Sequence, residues 1–257
     1  MIKMIASDID GTLLQNGETA LRPELFPLIE RLLEKGIYFC AASGRQYTCL
    51  LGLFAPVADR IHYICENGTL TFAPDGTAIS KEPIPRKDAL EMIDSILNME
   101  HCEVLISGAN VSYLLPKEPA YVDRIRYVNK NNVAVVESLD DIPEEILKVA
   151  SFCKKGAAAY DASMGDPWRN VFHVALAGEQ WLDFTTANKG SGMEALLEVL
   201  GITAKEVMAF GDNFNDLSML ELVGHPYIIE NCALDKAGYQ NDRFCHTPTV
   251  EAVLKTL

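Results

Sequence analysis

Two aspartates that lie two residues apart follow a short apolar segment near the start of the chain. Residues 2–7 are apolar enough for a buried strand, and Asp8, Asp10 and Gly11 come directly after it. Two crowded carboxylates repel each other unless a cation lies between them, and hard oxygen ligands of this kind suit Mg²⁺. Gly11 allows backbone N–H groups to approach an anion closely. A strand followed by an ordinary Asp-Gly turn is the alternative interpretation.

A second acidic group follows another apolar segment, at residues 207–210. Gly211 and Asp212 end this predicted strand, and Asn215 and Asp216 lie in the first turn of the helix predicted after it. A carboxylate at Asp212 is placed to ligate a metal, and the other two side chains lie near the positive end of the helix dipole. A helix N-cap with acidic residues in its first turn is the alternative interpretation.

Two further groups are suited to holding a phosphate. Ser43, Gly44 and Arg45 end the strand predicted over 37–42, and a hydroxyl with free N–H groups at a strand-to-helix turn forms a phosphate cradle. Lys189 precedes a predicted helix and adds a positive charge. Each is weak alone, but parallel strands collect ligands at their carboxyl ends. Together with the aspartates, these residues fit metal-assisted phosphoryl transfer.

The composition is that of a globular protein with an acidic balance. The 257 residues include 22 Lys+Arg and 36 Asp+Glu, which give a formal net charge of −14. This balance argues against nucleic-acid and anionic-membrane partners, because both need clustered Lys and Arg. No apolar run is long enough to span a bilayer, and the first residues turn acidic too soon for a signal peptide. Seven cysteines without a CxxC pair predict reduced thiols and a cytoplasmic protein.

Apolar periodicity predicts alternating strands and helices at both ends of the chain and a mixed segment between them. Continuous apolar strands separated by helices predict an α/β fold, with a Rossmann-like, doubly wound parallel sheet covered on both faces. The middle segment, with hairpins, a helix around Glu144 and a strand over 148–153, predicts an inserted α+β unit. We therefore expect a discontinuous core at 1–82 and 184–257, and an inserted cap domain at 83–183.

These groups, in this order along nearly the whole chain, resemble the four motifs of the haloacid dehalogenase-like (HAD) phosphatase superfamily. The turn at Asn67 and Gly68, and the insertion between the second and third motifs, resemble its Cof-type branch, which carries a large C2-type α/β cap. The chain departs from that branch at Thr69 and Leu70 and at 247–250, away from the residues that carry the chemistry.

The resemblance implies a role for each acidic residue. Asp8 attacks phosphorus and becomes an aspartyl-phosphate, while Asp10 protonates the leaving oxygen and then deprotonates the attacking water. Asp8 and Asp212 bind Mg²⁺ through their side chains, with the backbone carbonyl of Asp10 as a further ligand. Asp216 either binds the ion or supports its ligands. A proton-carrying carboxylate beside an ionised nucleophile is also what two-step transfer requires chemically.

The resemblance also implies which residues bind the phosphate. Ser43 and Lys189 hold the phosphoryl oxygens and Asn215 orients that site. The whole predicted substrate-binding set is Gly11, Ser43, Gly44, Arg45, Lys189 and Asn215. Arg45 either faces the leaving group or pairs with an acid, and the sequence leaves both open.

The function expected from the sequence is a Mg²⁺-dependent phosphatase. Its expected partners are small phosphorylated metabolites, with sugar phosphates first among them, and no nucleic acid or membrane. A phosphomutase of the same superfamily is one alternative. The other is a catalytically vestigial phosphate-binding or regulatory module, although such a module does not need Asp10. No oligomeric state follows from the sequence.

Overall fold

The structure is a computed structural model that describes residues 1–15 and 17–257. Within these residues the chain forms two compact units. Unit 1 comprises Met1–Gly44, Leu50–Ser80 and Asn188–Leu257, and unit 2 comprises Arg45–Cys49 and Lys81–Ala187. The assignment of a catalytic core and a cap to particular segments stays a prediction.

The strands and helices are short and alternate along both ends of the chain. The strands are β1 (Met4–Ser7), β2 (Tyr38–Ala42), β3 (His62–Cys65), β4 (Leu70–Phe72), β5 (Ala78–Lys81), β6 (Cys102–Ser107), β7 (Ser112–Leu114), β8 (Val133–Val135), β9 (Lys148–Cys153), β10 (His173–Leu176), β11 (Trp181–Thr185), β12 (Val207–Gly211), β13 (His225–Ile229) and β14 (Cys245–Thr247). The helices are α1 (Leu25–Glu34), α2 (Tyr47–Leu53), α3 (Arg86–Leu97), α4 (Pro119–Asp123), α5 (Lys189–Leu200), α6 (Leu217–Leu222), α7 (Ala233–Lys236) and α8 (Val250–Leu254). Across the described residues, none of these helices has the length and apolar character needed to cross a bilayer.

A mainly parallel sheet forms the centre of unit 1. Its strand order is β14-β13-β12-β1-β2-β3-β4-β5. The strands from β14 to β3 run parallel, and β4 pairs antiparallel with β3. Every residue of β1 and β12 is buried, as expected for central strands covered on both faces. The predicted α/β fold class is confirmed.

Two helices of unit 1 show why their sequences fold as predicted. The apolar residues of α1 recur at helical spacing, so that one face of the helix packs into the core and the other meets water. The chain leaves this helix through Gly36, at φ 73°, and it leaves α5 through Gly201, at φ 64°. Glycine adopts these left-handed conformations without the steric cost of a Cβ atom. The second of these helices begins with Lys189, which is a predicted site residue.

Unit 2 has its own sheet and its own core. The strand order is β10-β11-β9-β6-β7-β8, and β6 pairs antiparallel with β9 along its whole length. Alternate residues of β6 face opposite sides of the sheet. Val104 and Ile106 pack with buried residues of α3, whereas Leu105 packs with Tyr121 and Ile125. Unit 2 is thus an α+β element with apolar clusters of its own.

The predicted helix around Glu144 is wrong. In its place the structure has a 3₁₀ turn at Leu139–Asp141, and the chain from 142 to 147 forms no helix or strand. The Glu144 carboxylate accepts hydrogen bonds from the Ala109 N–H (2.8 Å) and the Tyr113 hydroxyl (2.7 Å). These contacts fix the segment against the β6–β7 hairpin, and local helix propensity does not decide its conformation.

Candidate active site

Three predicted site residues follow neighbouring strands of the unit 1 sheet. The strand β1 pairs in parallel with both β2 and β12, and its last residue lies opposite Ala41 and Phe210. Asp8 therefore leaves the sheet at the same edge as Ser43, which follows β2, and Asp212, which follows β12. The order of the strands brings together residues that are far apart in sequence.

Asp8, Asp212 and Asp216 form a buried acidic cluster. One carboxylate oxygen from each lies within 4.8 Å of the others, and no more than 9% of any of the three residues is exposed. Backbone groups hold Asp216 in place, because its Oδ2 accepts hydrogen bonds from the N–H groups of Asp212 (2.9 Å) and Asn213 (3.0 Å). Asn213 is the N-cap of the 3₁₀ turn that Asp216 ends, so local capping aims this carboxylate at the cluster.

Lys189 is the cation of the site. Its side chain is fully buried, and its Nζ lies 2.5 Å from Oδ1 of Asp8 and 2.5 Å from Oδ1 of Asp216. The lysine is the first residue of α5, whose N-cap Asn188 accepts a hydrogen bond from the N–H of Ser191 (2.9 Å). One ammonium among three ionised carboxylates leaves a formal charge of −2 in the cluster.

The surroundings raise the pKa of two of the aspartates. Burial is the largest cause for both Asp8 and Asp212, and repulsion from Asp216 adds to it, while Lys189 acts in the opposite direction. The Asp8 pKa lies well above its usual value, and the Asp212 pKa is raised to about 7. Burial lowers the pKa of Lys189, but attraction to Asp216 and Asp8 outweighs it and the pKa is raised. The lysine therefore stays charged, whereas Asp8 and Asp212 keep their protons to a higher pH than an ordinary aspartate does.

The cluster fits a divalent cation. Carboxylate oxygens are the hard ligands that Mg²⁺ prefers. Among the described residues, Oδ2 of Asp8 is buried and has no hydrogen-bond partner. Gly11, at φ 94°, lies so close to Asp212 that a Cβ atom there would overlap its carboxylate. Asp8, Asp212 and Asp216 therefore provide a ligand set that would hold Mg²⁺, with an unsatisfied acceptor that a cation would complete.

The residues predicted to bind phosphate surround a short turn. Ser43 is buried, its N–H donates to the Ile64 carbonyl (2.8 Å), and its carbonyl accepts from the Asn67 N–H (3.0 Å). The Asn215 side-chain amide donates to Oδ1 of Asn67 (3.2 Å). Gly44 lies beside the same side chain, because a Cβ atom there would come within 3.1 Å of Oδ1. The structure thus brings Ser43, Gly44 and Asn215 together through Asn67.

Among the described residues, Asp10 is not part of the acidic cluster. Asp10 is exposed in the turn after β1, and its carboxylate is not among those whose oxygens meet. The turn is closed by the Gly11 N–H, which donates to the Leu14 carbonyl (2.8 Å). The roles of Asp10 as proton carrier and, through its carbonyl, as metal ligand stay predictions. Arg45 belongs to unit 2, and its role stays a prediction too.

Two residues at the site were not assigned a role from the sequence. Thr12 is fully buried, and its hydroxyl donates to Oδ1 of Asp212 (3.2 Å). The signal for it was a hydroxyl residue directly after the Asp-Gly pair. Asn67 was recognised only as part of a turn, although its side chain contacts Asn215. No local sequence pattern predicts that contact, because the two residues are 148 positions apart.

Comparison with known proteins identifies the family. A family model described as haloacid dehalogenase-like hydrolase matches residues 5–257. The 5-amino-6-(5-phospho-D-ribitylamino)uracil phosphatase YbjI of Escherichia coli (strain K12) is 26% identical over 235 residues, which cover 90% of this chain and 86% of that protein. The pyridoxal phosphate phosphatase YbhA of the same organism is 26% identical over 242 residues, which cover 86% of this chain and 85% of that protein.

A solved structure shows the same fold. The structure of a haloacid dehalogenase-like hydrolase from B. subtilis matches with a TM-score of 0.82 and 22% sequence identity, over 99% of this chain and 98% of the other. The family, the fold and the enzyme class of phosphoric monoester hydrolase that the sequence predicted are therefore confirmed. The match over residues 5–257 shows that the chain belongs to the haloacid dehalogenase-like hydrolase family.

Proposed function

We propose that this protein is a Mg²⁺-dependent phosphatase that hydrolyses small phosphorylated metabolites through an aspartyl-phosphate on Asp8. The observation that carries the proposal is the cluster in which Lys189 bridges Asp8 and Asp216 at 2.5 Å, with Asp212 beside them. The cluster has a nucleophilic carboxylate, a fixed cation and ligands for a divalent ion, which are the components of metal-assisted phosphoryl transfer.

Asp8 is the nucleophile in this proposal. Lys189 holds Oδ1 of Asp8 in a fixed direction and stabilises the ionised form of the carboxylate. An oxygen of Asp8 forms a bond to phosphorus while the bond from phosphorus to the leaving oxygen breaks, and Asp10 gives that oxygen a proton. Water then attacks phosphorus and passes a proton to Asp10, and the bond between phosphorus and Asp8 breaks. Phosphate is released, and both aspartates regain their starting protonation states.

The remaining residues neutralise and position the phosphoryl group. Asp8, Asp212 and Asp216 would hold Mg²⁺, which would supply positive charge that neutralises the phosphoryl group. Ser43 and Lys189 hold those oxygens from the protein side. Such fixed charges and donors contribute most of the rate enhancement in phosphoryl transfer, because they need no reorganisation during the reaction.

The substrate class rests on the relatives. Their names give a phosphorylated ribitylaminouracil and pyridoxal phosphate as substrates, both of which are small phosphorylated molecules. We propose the same class for this protein, with sugar phosphates tested first. We assign the choice among substrates to the inserted cap domain, because a cap excludes bulk water and contacts the part of the substrate that differs from one metabolite to the next.

The test is a phosphate-release screen over a panel of phosphorylated metabolites, with para-nitrophenyl phosphate as a general probe. We expect release only with Mg²⁺, and we expect Asp8→Asn to abolish it while the protein stays folded. Asp75→Asn is the matched control, since Asp75 is an exposed aspartate in the β4–β5 turn. Full activity in Asp8→Asn would refute the mechanism. Phosphate transfer that needs a bisphosphate activator would instead indicate a mutase.

A further inference from the structure

The turn at Glu66–Gly68, which joins β3 to β4, has an uncommon backbone. Its three residues all have positive φ angles, at 49° for Glu66, 57° for Asn67 and 102° for Gly68. Only Gly68 lacks a Cβ atom, so the other two residues adopt a conformation that L-residues disfavour. Such conformations persist where the surroundings hold them, and they cluster at functional sites. The turn therefore needs an explanation beyond the reversal of chain direction.

The turn contacts the segments that carry two of the phosphate-site residues. Asn67 is almost fully buried, and its N–H donates to the Ser43 carbonyl (3.0 Å) while its Oδ1 accepts from the Asn215 side chain (3.2 Å). Gly44 fits against the same side chain because it has no Cβ atom. One buried asparagine thus ties the end of β2 to the turn that precedes α6.

The same turn lies against the start of α5. A Cβ atom on Gly68 would overlap the carbonyl of Asn188, the N-cap of this helix, and a Cβ atom on Gly192 would come within 3.1 Å of the Gly68 Cα. Since α5 begins at Lys189, the position of the turn limits where the backbone of this lysine can lie. Gly68 permits this close approach because it has no Cβ atom. The left-handed conformation of Asn67 directs its side chain toward Asn215.

We propose that Asn67 is a positioning residue for the phosphate side of the active site, acting through the contacts of its side chain with Gly44 and Asn215. The inference rests on the proposed phosphatase function. Asn67 fixes the spacing between the phosphate-binding end of β2 and Asn215, and its left-handed backbone is retained because this contact needs it. Loss of the Asn67 side chain should misplace donors that are aligned for the transition state. We therefore expect a larger effect on kcat than on substrate binding in the ground state.

Asn67→Gly separates the side chain from the backbone conformation. Glycine adopts φ 57° freely, so the turn keeps its shape while the bond to Asn215 is lost. With para-nitrophenyl phosphate and Mg²⁺, we expect kcat to fall by about tenfold and KM to stay unchanged. The thermal midpoint should change little, because relief of the left-handed strain at residue 67 offsets the loss of the buried hydrogen bond. His101→Gly is the matched control, because His101 is also left-handed (φ 66°) but lies in unit 2, and it should leave kcat unchanged.

A double variant tests the route through Asn215. If Asn67 acts through this residue, Asn67→Gly combined with Asn215→Ala should have the same kcat as Asn215→Ala alone. Independent losses that multiply would overturn that route. An unchanged kcat in Asn67→Gly would overturn the positioning role, even if Asp8→Asn is inactive and the phosphatase function stands.

Amide hydrogen exchange tests the inference without turnover. We expect Asn67→Gly to increase exchange in the peptide that contains Gly44, which packs against the lost side chain, and in the peptide that contains Asn215, and to leave those from α3 unchanged. If the wild-type protein releases no phosphate but exchange increases at both peptides, the proposed function fails and the positioning role stands. Unchanged exchange at both peptides would overturn the positioning role, whatever the activity.

Discussion

Replacing Lys189 by methionine tests whether the cluster depends on its buried cation. The change keeps most of the side-chain volume and removes the ammonium from between Asp8 and Asp216, at 2.5 Å from each. Removing one partner of a buried ion pair destabilises a protein by about 3–5 kcal/mol, because the remaining charge is uncompensated. For a chain of this size that corresponds to a fall of roughly 6–20 °C in the thermal midpoint. We expect Lys189→Met to show this loss near neutral pH and to have no phosphatase activity.

The loss should depend on pH in a defined direction. The raised pKa values of Asp8 and Asp212 mean that the folded protein binds more protons than the unfolded chain, so its stability falls as pH rises from the usual carboxyl range to about 7. Lys189 lowers both pKa values, so removing it raises them further. The variant should therefore lose more stability at about pH 8 than at about pH 5, where protonation neutralises the carboxylates.

Thermal and urea unfolding, each with EDTA and with Mg²⁺, measure this effect. Mg²⁺ should recover part of the lost stability, because it binds the folded cluster and not the unfolded chain. Lys255→Met is the control. Lys255 and Glu24 form an exposed pair at 3.4 Å, and such pairs contribute about 0–1 kcal/mol. A loss that does not vary with pH, or a variant as stable as wild type, would refute the electrostatic account of the cluster.

Three further predictions follow from the site and from the two cores. Gly11→Ala places a Cβ atom where the Asp212 carboxylate lies, on a backbone with φ 94°, so the free energy of unfolding should fall by about 1–3 kcal/mol. The rise in thermal midpoint on adding Mg²⁺ should also disappear, and an unaltered Mg²⁺ response would contradict this. Mg²⁺ affinity, measured by calorimetry, should rise as pH increases through about 7, because Asp212 must lose its proton to bind the ion; equal affinities on both sides of that pH would count against the assigned ligand. Ile93→Ala removes a fully buried side chain of unit 2, so the free energy of unfolding should fall by about 2–5 kcal/mol while Mg²⁺ affinity stays unchanged. A weaker affinity would contradict a metal site built from unit 1 alone.

Much of the fold could be predicted because local signals agree with tertiary structure. The apolar segments at β1 and β12 are buried at every position, so their hydrophobicity in the sequence indicates core strands. A capping box also joins Thr203 and Glu206, with the Glu206 carboxylate accepting from the Thr203 N–H at 2.9 Å. Such signals depend on residues three or four positions apart, which a sequence shows directly.

The errors and omissions occur where distant contacts decide the conformation. The segment around Glu144 is held by a hairpin that lies some thirty residues earlier, and the side chain bonds Tyr113 across a separation of 31 positions. The edge strand β14 has two exposed residues of its three, so it shows no apolar periodicity. The short helix α7 spans only four residues, too few for a helical repeat to be recognised.

The acidic part of the site was predictable, whereas its connecting contacts were not. Asp8 and Asp212 each follow an apolar strand, and parallel strands place their carboxyl ends at one edge of a sheet. The double contact of Lys189 with Asp8 and Asp216 could not be measured from sequence, because the bonds span 181 and 27 positions. The left-handed conformation of Glu66 was equally hidden, since glutamate has no preference for it.

The pairing of β1 with β12 has a consequence for biosynthesis. Thr12 and Asp212, just beyond these two strands, are 200 positions apart. At translation rates of 5–20 residues per second, about 10–40 s separate the synthesis of the two neighbours. During that interval one side of β1 lacks its native partner, whereas all of unit 2 has been synthesised before β12 begins. The nascent chain should therefore acquire a folded unit 2 before Asp8 meets Lys189, Asp212 and Asp216.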